Sequence, residues 1–212
     1  FFDLDGTLLT ANSGGLWMRS ERRQGRISFW QLIQGTIYLA AYKFSVLDMD
    51  KVMTKALQTV KGVEVEIVRQ RTHDWYKREV ARYAAPGAEA VLADHRAKGH
   101  RLVLHTSSSP YESEIASQQF KLDAFISSRF ESEGGILTGR LDGPACYGKG
   151  KVVLAEKYAR QHDIDLDASY FYTDSHSDLP MLERVSHPMV VHPDPRLRRL
   201  AKKRDWPILD WH

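Results

Sequence analysis

The first ten residues, Phe1-Phe2-Asp3-Leu4-Asp5-Gly6-Thr7-Leu8-Leu9-Thr10, constrain the fold more than any other stretch. Two aromatic residues lead into Asp3 and Asp5, and Gly6 follows. That order reads as the tail of a buried strand that delivers two carboxylates and then turns. Side chains two apart on a strand share a face, so the carboxylates would stand side by side. Like charges that close repel unless a cation holds them. A hard divalent ion such as Mg²⁺, bound through carboxylate and carbonyl oxygens, meets that need. Spacing alone does not decide, because Asp-x-Asp recurs at Asp48-Met49-Asp50, Asp163-Ile164-Asp165 and Asp165-Leu166-Asp167. The first copy differs in its setting, with aromatics before it and Gly-Thr-Leu-Leu after it. Only Phe1 and Phe2 precede Asp3, and a central strand is usually longer. The strand is therefore expected to begin upstream of Phe1. No signal peptide is visible, since the opening residues already belong to a charged motif.

Residues 86–212 alternate between helix and strand patterns. Pro86-Gly87 opens a helix over 88–98 that stops at Gly99. A strand over 101–105 runs into Thr106-Ser107-Ser108-Ser109-Pro110. A helix, a short strand at 124–126 and a glycine-rich hairpin over 133–143 follow. After Gly148-Lys149-Gly150-Lys151 a helix extends to about His162, and a strand over 169–173 ends at Asp174. This alternation implies an α/β fold whose parallel sheet carries helices on both faces.

Residues 11–85 show only helical patterns. The polar stretch 11–27 holds Asn12 and the basic residues Arg19, Arg22, Arg23 and Arg26. It reads as a solvated helix face or as a basic rim that meets an anionic substrate. Residues 29–47 form the most apolar run, at helical spacing. Gln31, Gln34 and Lys43 interrupt it, and it falls short of the ~20 apolar residues of a membrane span. It fits the core of a small helical domain, or a surface helix for lipid. Asp48 caps a second predicted helix carrying Val52, Met53, Ala56, Leu57 and Val60, which Gly62 ends. A third covers 63–83, with Ile67, Val68, Trp75, Tyr76 and Val80 inward. The chain thus divides into a core, 1–10 and 86–212, and an inserted all-helical cap domain, 11–85.

The net charge of +3 and a pI of about 8.9 suit a small anionic substrate and are too weak to indicate nucleic-acid binding. The single cysteine, Cys146, excludes an internal disulfide framework and a cysteine-built zinc site, and fits a cytoplasmic setting.

In an open parallel sheet, ligands gather outside the carboxyl ends of the strands. Three strands here end in reactive groups: Asp3 and Asp5, Thr106 and Ser107, and Asp174. One helix begins near Lys151. Any one of these could simply cap a helix or decorate the surface. In this order they resemble the four motifs of the haloacid dehalogenase superfamily. The insert, with the phrases Leu-Thr-Gly-Arg-Leu and Asp-Ser-His-Ser-Asp-Leu-Pro-Met-Leu, is similar to its phosphoserine-phosphatase-like subfamily. The resemblance implies a Rossmann-like core and a Mg²⁺-dependent phosphatase acting through an aspartyl-phosphate. Asp3 would be the nucleophile and Asp5 the general acid and base. Thr106 would bind the phosphate with help from the Ser107 amide, or Ser107 would take the Thr106 role. Lys151 would neutralise phosphate charge; Lys149 is the competing choice, and the spacing to Asp174 favours Lys151. Asp3, the Asp5 carbonyl and Asp174 would hold the metal, with Asp178 beside it. Thr173 stands where the family has glycine. Asn12 occupies the place of an acidic residue that holds a substrate amine in phosphoserine phosphatases. Arg19, Arg22 and Arg23 are candidates, by charge, to grip a substrate carboxylate. The implied partners are small phosphorylated metabolites such as phosphoserine or histidinol phosphate, with no nucleic acid and no transmembrane segment. The insert would open to admit substrate and close to exclude water. The alternatives are a lipid-phosphate phosphatase at a membrane surface and a non-catalytic phosphate-binding module.

Overall fold

The computed structural model describes residues 1–26, 28, 53, 54 and 56–211. The expected apolar run at 29–47 and the Asp48 cap lie outside them. In chain order the elements are helices α1 (Ser13–Arg23), α2 (Val65–Trp75) and α3 (Ala88–Ala97), strand β1 (Val103–His105), α4 (Pro110–Gln119), β2 (Ala124–Ile126), β3 (Phe130–Glu133), β4 (Ile136–Leu141), α5 (Lys149–His162), β5 (Tyr170–Thr173), α6 (Leu179–Leu182), β6 (His187–Val191), α7 (Pro195–Lys203) and β7 (Ile208–Leu209).

The amino-terminal residues form the middle of a parallel sheet. Phe2 bridges to Leu104 on one side and to Tyr172 on the other. The Phe2 amide donates to the Val103 carbonyl at 2.9 Å, and the Asp3 amide donates to the Tyr172 carbonyl at 2.9 Å. β1 pairs with β2, and β5 with β6 and then β7, all in parallel. The order across the sheet is therefore β2, β1, the segment 1–3, β5, β6, β7. Alternation along the strands sorts side chains onto two faces. Phe2, Leu104, Tyr172 and Val191 pack with Leu92 of α3 and Ile115 of α4. Phe1, Val103, Phe171 and Val190 pack with Ala155 of α5, Met181 of α6 and Leu197 of α7. Both faces are thus covered, as the alternation of elements predicts. Asp3 has the parity of Phe1, which directs it to the side where α5 begins.

Past Asp3 the chain turns tightly, with the Leu9 amide donating to the Leu4 carbonyl at 2.8 Å. Leu4, Leu8 and Leu9 are fully buried. The outgoing and returning linkers pair with each other: the Thr10 amide donates to Tyr83 O at 2.8 Å, and the Ala85 amide to Leu8 O at 2.9 Å.

Within the insert, α1 packs on α2 through Trp17 and Trp75, edge to face at 4.9 Å between ring centres. Val68, Thr72, Trp75 and Tyr76 repeat at helical spacing and are buried. Ile67 falls outside that stripe and is 49% exposed, which corrects its predicted inward position. After Trp75 the helix widens into π-type turns over Tyr76–Val80. Residues 62–65 leave the helical pattern and run along β4, with Gly62 N donating to Leu137 O at 2.8 Å and Leu137 N to Val63 O at 2.9 Å. Two residues of the expected basic rim, Arg23 and Arg26, stay exposed but are taken up in ion pairs. Arg26 lies 2.6 Å and Arg71 3.1 Å from the buried Glu21, and Arg23 pairs with Glu79. Among the described residues no helix is long and apolar enough to cross a membrane.

Candidate active site

The carboxyl ends of the segment 1–3, β1 and β5 bring the predicted residues to one edge of the sheet. Lys151, on the first turn of α5, is 1% exposed and spans two carboxylates. Its Nζ donates to Asp3 Oδ1 at 2.8 Å and to Asp178 Oδ2 at 2.7 Å. Lys149 is exposed, so burial separates the two candidate lysines. The start of α5 comes this close because of Gly150: a Cβ there would lie 2.0 Å from the Ala145 carbonyl oxygen.

Asp3 is 7% exposed. Burial raises its pKa to about 7, and the Lys151 ammonium opposes that rise. Asp5 is held by the next element of the chain. The Ser13 amide at the start of α1 donates to its Oδ1 at 2.9 Å, and Asn12 Nδ2 to its Oδ2 at 3.2 Å. Burial raises the Asp5 pKa as well, with the Ser13 amide opposing. Asn12 also caps α1, where its Oδ1 accepts from Gly15 N at 2.8 Å.

Thr106 is buried at the end of β1, and its Oγ1 accepts from the Ser108 amide at 3.2 Å. Ser107, half-buried, sits between them. Asp174 follows β5 and rests on Gly6: a Cβ on Gly6 would lie 2.4 Å from Asp174 Oδ2. Gly6 also has φ +74°, a region that favours glycine. The Asp174 carbonyl accepts from Asp194 N at 2.9 Å, and Asp194 Oδ2 accepts from His176 N at 2.6 Å, which braces this loop. Arg19 is exposed on α1 and makes none of the contacts that join this cluster.

Four further residues join the cluster from outside the predicted set. Thr173, in the place of the usual glycine, donates through Oγ1 to Asp178 Oδ2 at 2.8 Å. Asp178 is thereby clamped between Thr173 and Lys151. Glu112 on α4 is 6% exposed, and burial together with the Asp5 charge raises its pKa to about 8. Ser13 and Tyr76 are each 1% exposed. Ser13 adjoins Glu112, and Tyr76 feels the charges of both Glu112 and Asp5. The sequence signal for Glu112 points elsewhere, because Ser109-x-x-Glu112 has the form of a capping box. Half of that box forms, with Ser109 Oγ accepting from Glu112 N at 3.1 Å. The glutamate carboxylate meanwhile lies by Ser13 and Ser108.

A family model of haloacid dehalogenase-like hydrolases matches residues 1–183. The chain belongs to that family. Phosphoserine phosphatase SerB1 of Mycobacterium tuberculosis is 29% identical over 218 residues, covering 100% of this chain and 70% of that protein. A histidinol-phosphatase of Neisseria meningitidis is 24% identical over 215 residues, covering 99% of this chain and 97% of its own length. A crystal structure of a Bordetella pertussis protein of unknown function superposes with a TM-score of 0.88 at 27% identity, covering 100% of this chain and 97% of that one.

For a haloacid dehalogenase-like hydrolase, the donor set at this edge is all oxygen: the Asp3, Asp174 and Asp178 carboxylates and the Asp5 carbonyl. Among the described residues, no three His, Cys, Asp or Glu side chains close into a ready-made metal cage. Asp178 Oδ1 is buried without a hydrogen-bond partner among them. Such a set fits a hard ion that takes one or two carboxylates and keeps several waters. It does not fit a fully dehydrated structural metal.

Proposed function

We propose that this hydrolase is a phosphatase that cleaves a small phosphomonoester through an aspartyl-phosphate on Asp3. The observation that carries this reading is the buried Lys151 ammonium held between Asp3 and Asp178, beside an Asp5 fixed by the start of α1. A carboxylate attacks a phosphate dianion well only when that negative charge is offset. Lys151 supplies a fixed cation next to Asp3, and the Thr106 hydroxyl and Ser107 amide supply hydrogen-bond donors at the end of β1.

Asp3 attacks phosphorus as the ester P–O bond breaks, and the leaving alkoxide takes a proton from Asp5. A burial-raised pKa suits Asp5 to carry that proton. In the second half a water loses a proton to Asp5 and attacks the acyl-phosphate. The P–O bond to Asp3 then breaks, inorganic phosphate leaves, and both aspartates return to their starting forms. Asp3, the Asp5 carbonyl and Asp174 would hold Mg²⁺, with Asp178 orienting the ion's waters. The ion would add charge neutralisation on the transferring group when bound.

The names of the relatives favour phosphoserine or histidinol phosphate as substrate, and a soluble metabolite of this kind fits a cytoplasmic enzyme. Core residues 1–10 and 86–212 would carry the chemistry, with 11–85 closing over it. Phosphate release from para-nitrophenyl phosphate tests the reading. Activity should need Mg²⁺, disappear with EDTA, and fall by about three orders of magnitude or more in Asp3→Asn. Undiminished turnover in Asp3→Asn would remove Asp3 from the chemistry.

A further inference from the structure

Three buried polar atoms near Asp5 have no hydrogen-bond partner among the described residues: Ser13 Oγ, Tyr76 Oη and Glu112 Oε1. They come from three separate elements, α1, the π-type turns after α2, and α4. Buried polar atoms are normally paired, so a group of unpaired ones marks a surface that a ligand's polar atoms complete. Its position identifies the part of the ligand concerned. Asp5 would protonate the leaving oxygen, so whatever surrounds Asp5 on the side away from Asp3 meets the leaving alcohol.

We propose that Ser13, Tyr76 and Glu112 form the leaving-alcohol subsite, and that Glu112 selects alcohols bearing a cationic nitrogen. This rests on the phosphatase reading above. Two features support a cation. Glu112 is buried, and among the described residues no cation pairs with it. Asn12, next to Ser13, is spent on Asp5 and on the cap of α1, and it carries no charge. A ligand ammonium would relieve the cost of ionising Glu112, while Tyr76 Oη and Ser13 Oγ would pair with the ligand's other polar atoms. Phosphoserine and histidinol phosphate share such a unit, an amine on the carbon next to the ester carbon. The subsite therefore reads that shared unit and leaves the rest of the alcohol to other contacts.

The test compares kcat/KM for 2-aminoethyl phosphate and propyl phosphate, which match in size and differ in the ammonium. Wild type should favour the amine by about tenfold or more. Glu112→Gln should bring that ratio down by about tenfold, and Glu112→Asp, which keeps the charge but withdraws it, should lie between. A wild-type ratio near one, or a ratio unmoved by Glu112→Gln, overturns the subsite and leaves the phosphatase reading standing. A uniform loss on both esters in a folded Glu112→Gln overturns it too, since Glu112 would then only support Asp5. No release from either ester or from para-nitrophenyl phosphate by wild type overturns the phosphatase reading itself.

Discussion

Replacing Gly6 by alanine separates two effects that usually come together. The new Cβ would lie 2.4 Å from Asp174 Oδ2, about 1 Å short of ordinary contact. Gly6 also sits at φ +74°, where an L side chain costs about 1–2 kcal/mol. Gly99 has nearly the same backbone, φ +71°, but a Cβ there meets nothing within 4 Å. Gly99→Ala thus carries the backbone penalty alone, and should lower Tm by about 2–8 °C in a chain this size. Gly6→Ala adds overpacking of about 1–3 kcal/mol. Its Tm should fall by about 4–20 °C. The clash is relieved most readily by moving the Asp174 carboxylate. A misplacement of about 1 Å at a reacting centre lowers turnover by about a hundredfold. Melting curves and para-nitrophenyl phosphate kinetics on both variants would read these effects. Gly99→Ala should keep wild-type kcat. If Gly6→Ala melts and turns over like Gly99→Ala, then Asp174 does not rest on Gly6, or takes no part in the chemistry.

Lys151→Met should abolish turnover and lower stability by about 3–5 kcal/mol, because it strands two buried carboxylates; thermal melts beside the phosphate assay check both. Thr173→Gly, which restores the residue usual in the family, removes the hydroxyl from Asp178. It should lower stability by about 1 kcal/mol and turnover severalfold, measured the same way. Glu112 gives a pH signature. Its folded pKa is raised to about 8 from an ordinary value of 4.5, so the folded chain holds a proton that the unfolded chain has released. Wild type must lose stability relative to Glu112→Gln as pH climbs from about 5 to 8, by a few kcal/mol in total. Melts across that range should show Tm of the variant rising relative to wild type, and a flat difference would contradict the burial of this carboxylate.

The strand ends are legible in sequence because they depend on local pattern. Two aromatics before Asp3 and the run before Thr106 mark buried strands, and parity along them sends their side chains to one face or the other. The Lys151 assignment needs the fold. Lys149 and Lys151 look alike in sequence, and which ammonium enters the sheet edge is set by how α5 is turned and by its close approach at Gly150 to Ala145. The same limit applies to the basic residues on and just after α1. Arg23 and Arg26 read as a rim for an anion because their partners, Glu79 and Glu21, carry no local mark of pairing. Glu112 is hidden by a competing signal, since a glutamate three residues after Ser109 is what a helix start normally shows. The pairing of 62–65 with β4 is hidden by distance along the chain: it is a four-residue segment where two helical patterns meet, and its partner lies some seventy residues on. Thr173 stands out as a departure from the family pattern, but its hydrogen bond to Asp178 depends on the turn that brings residue 178 back beneath it.

The paired linkers at 8–10 and 83–85 give the architecture a modular seam. The insert leaves and rejoins the sheet domain at points joined by main-chain hydrogen bonds from Thr10 to Tyr83 and from Ala85 to Leu8. A short turn could close that gap without rewriting a single strand. Exchanging residues 11–85 at this seam would leave the sheet and the groups at its strand ends where they stand.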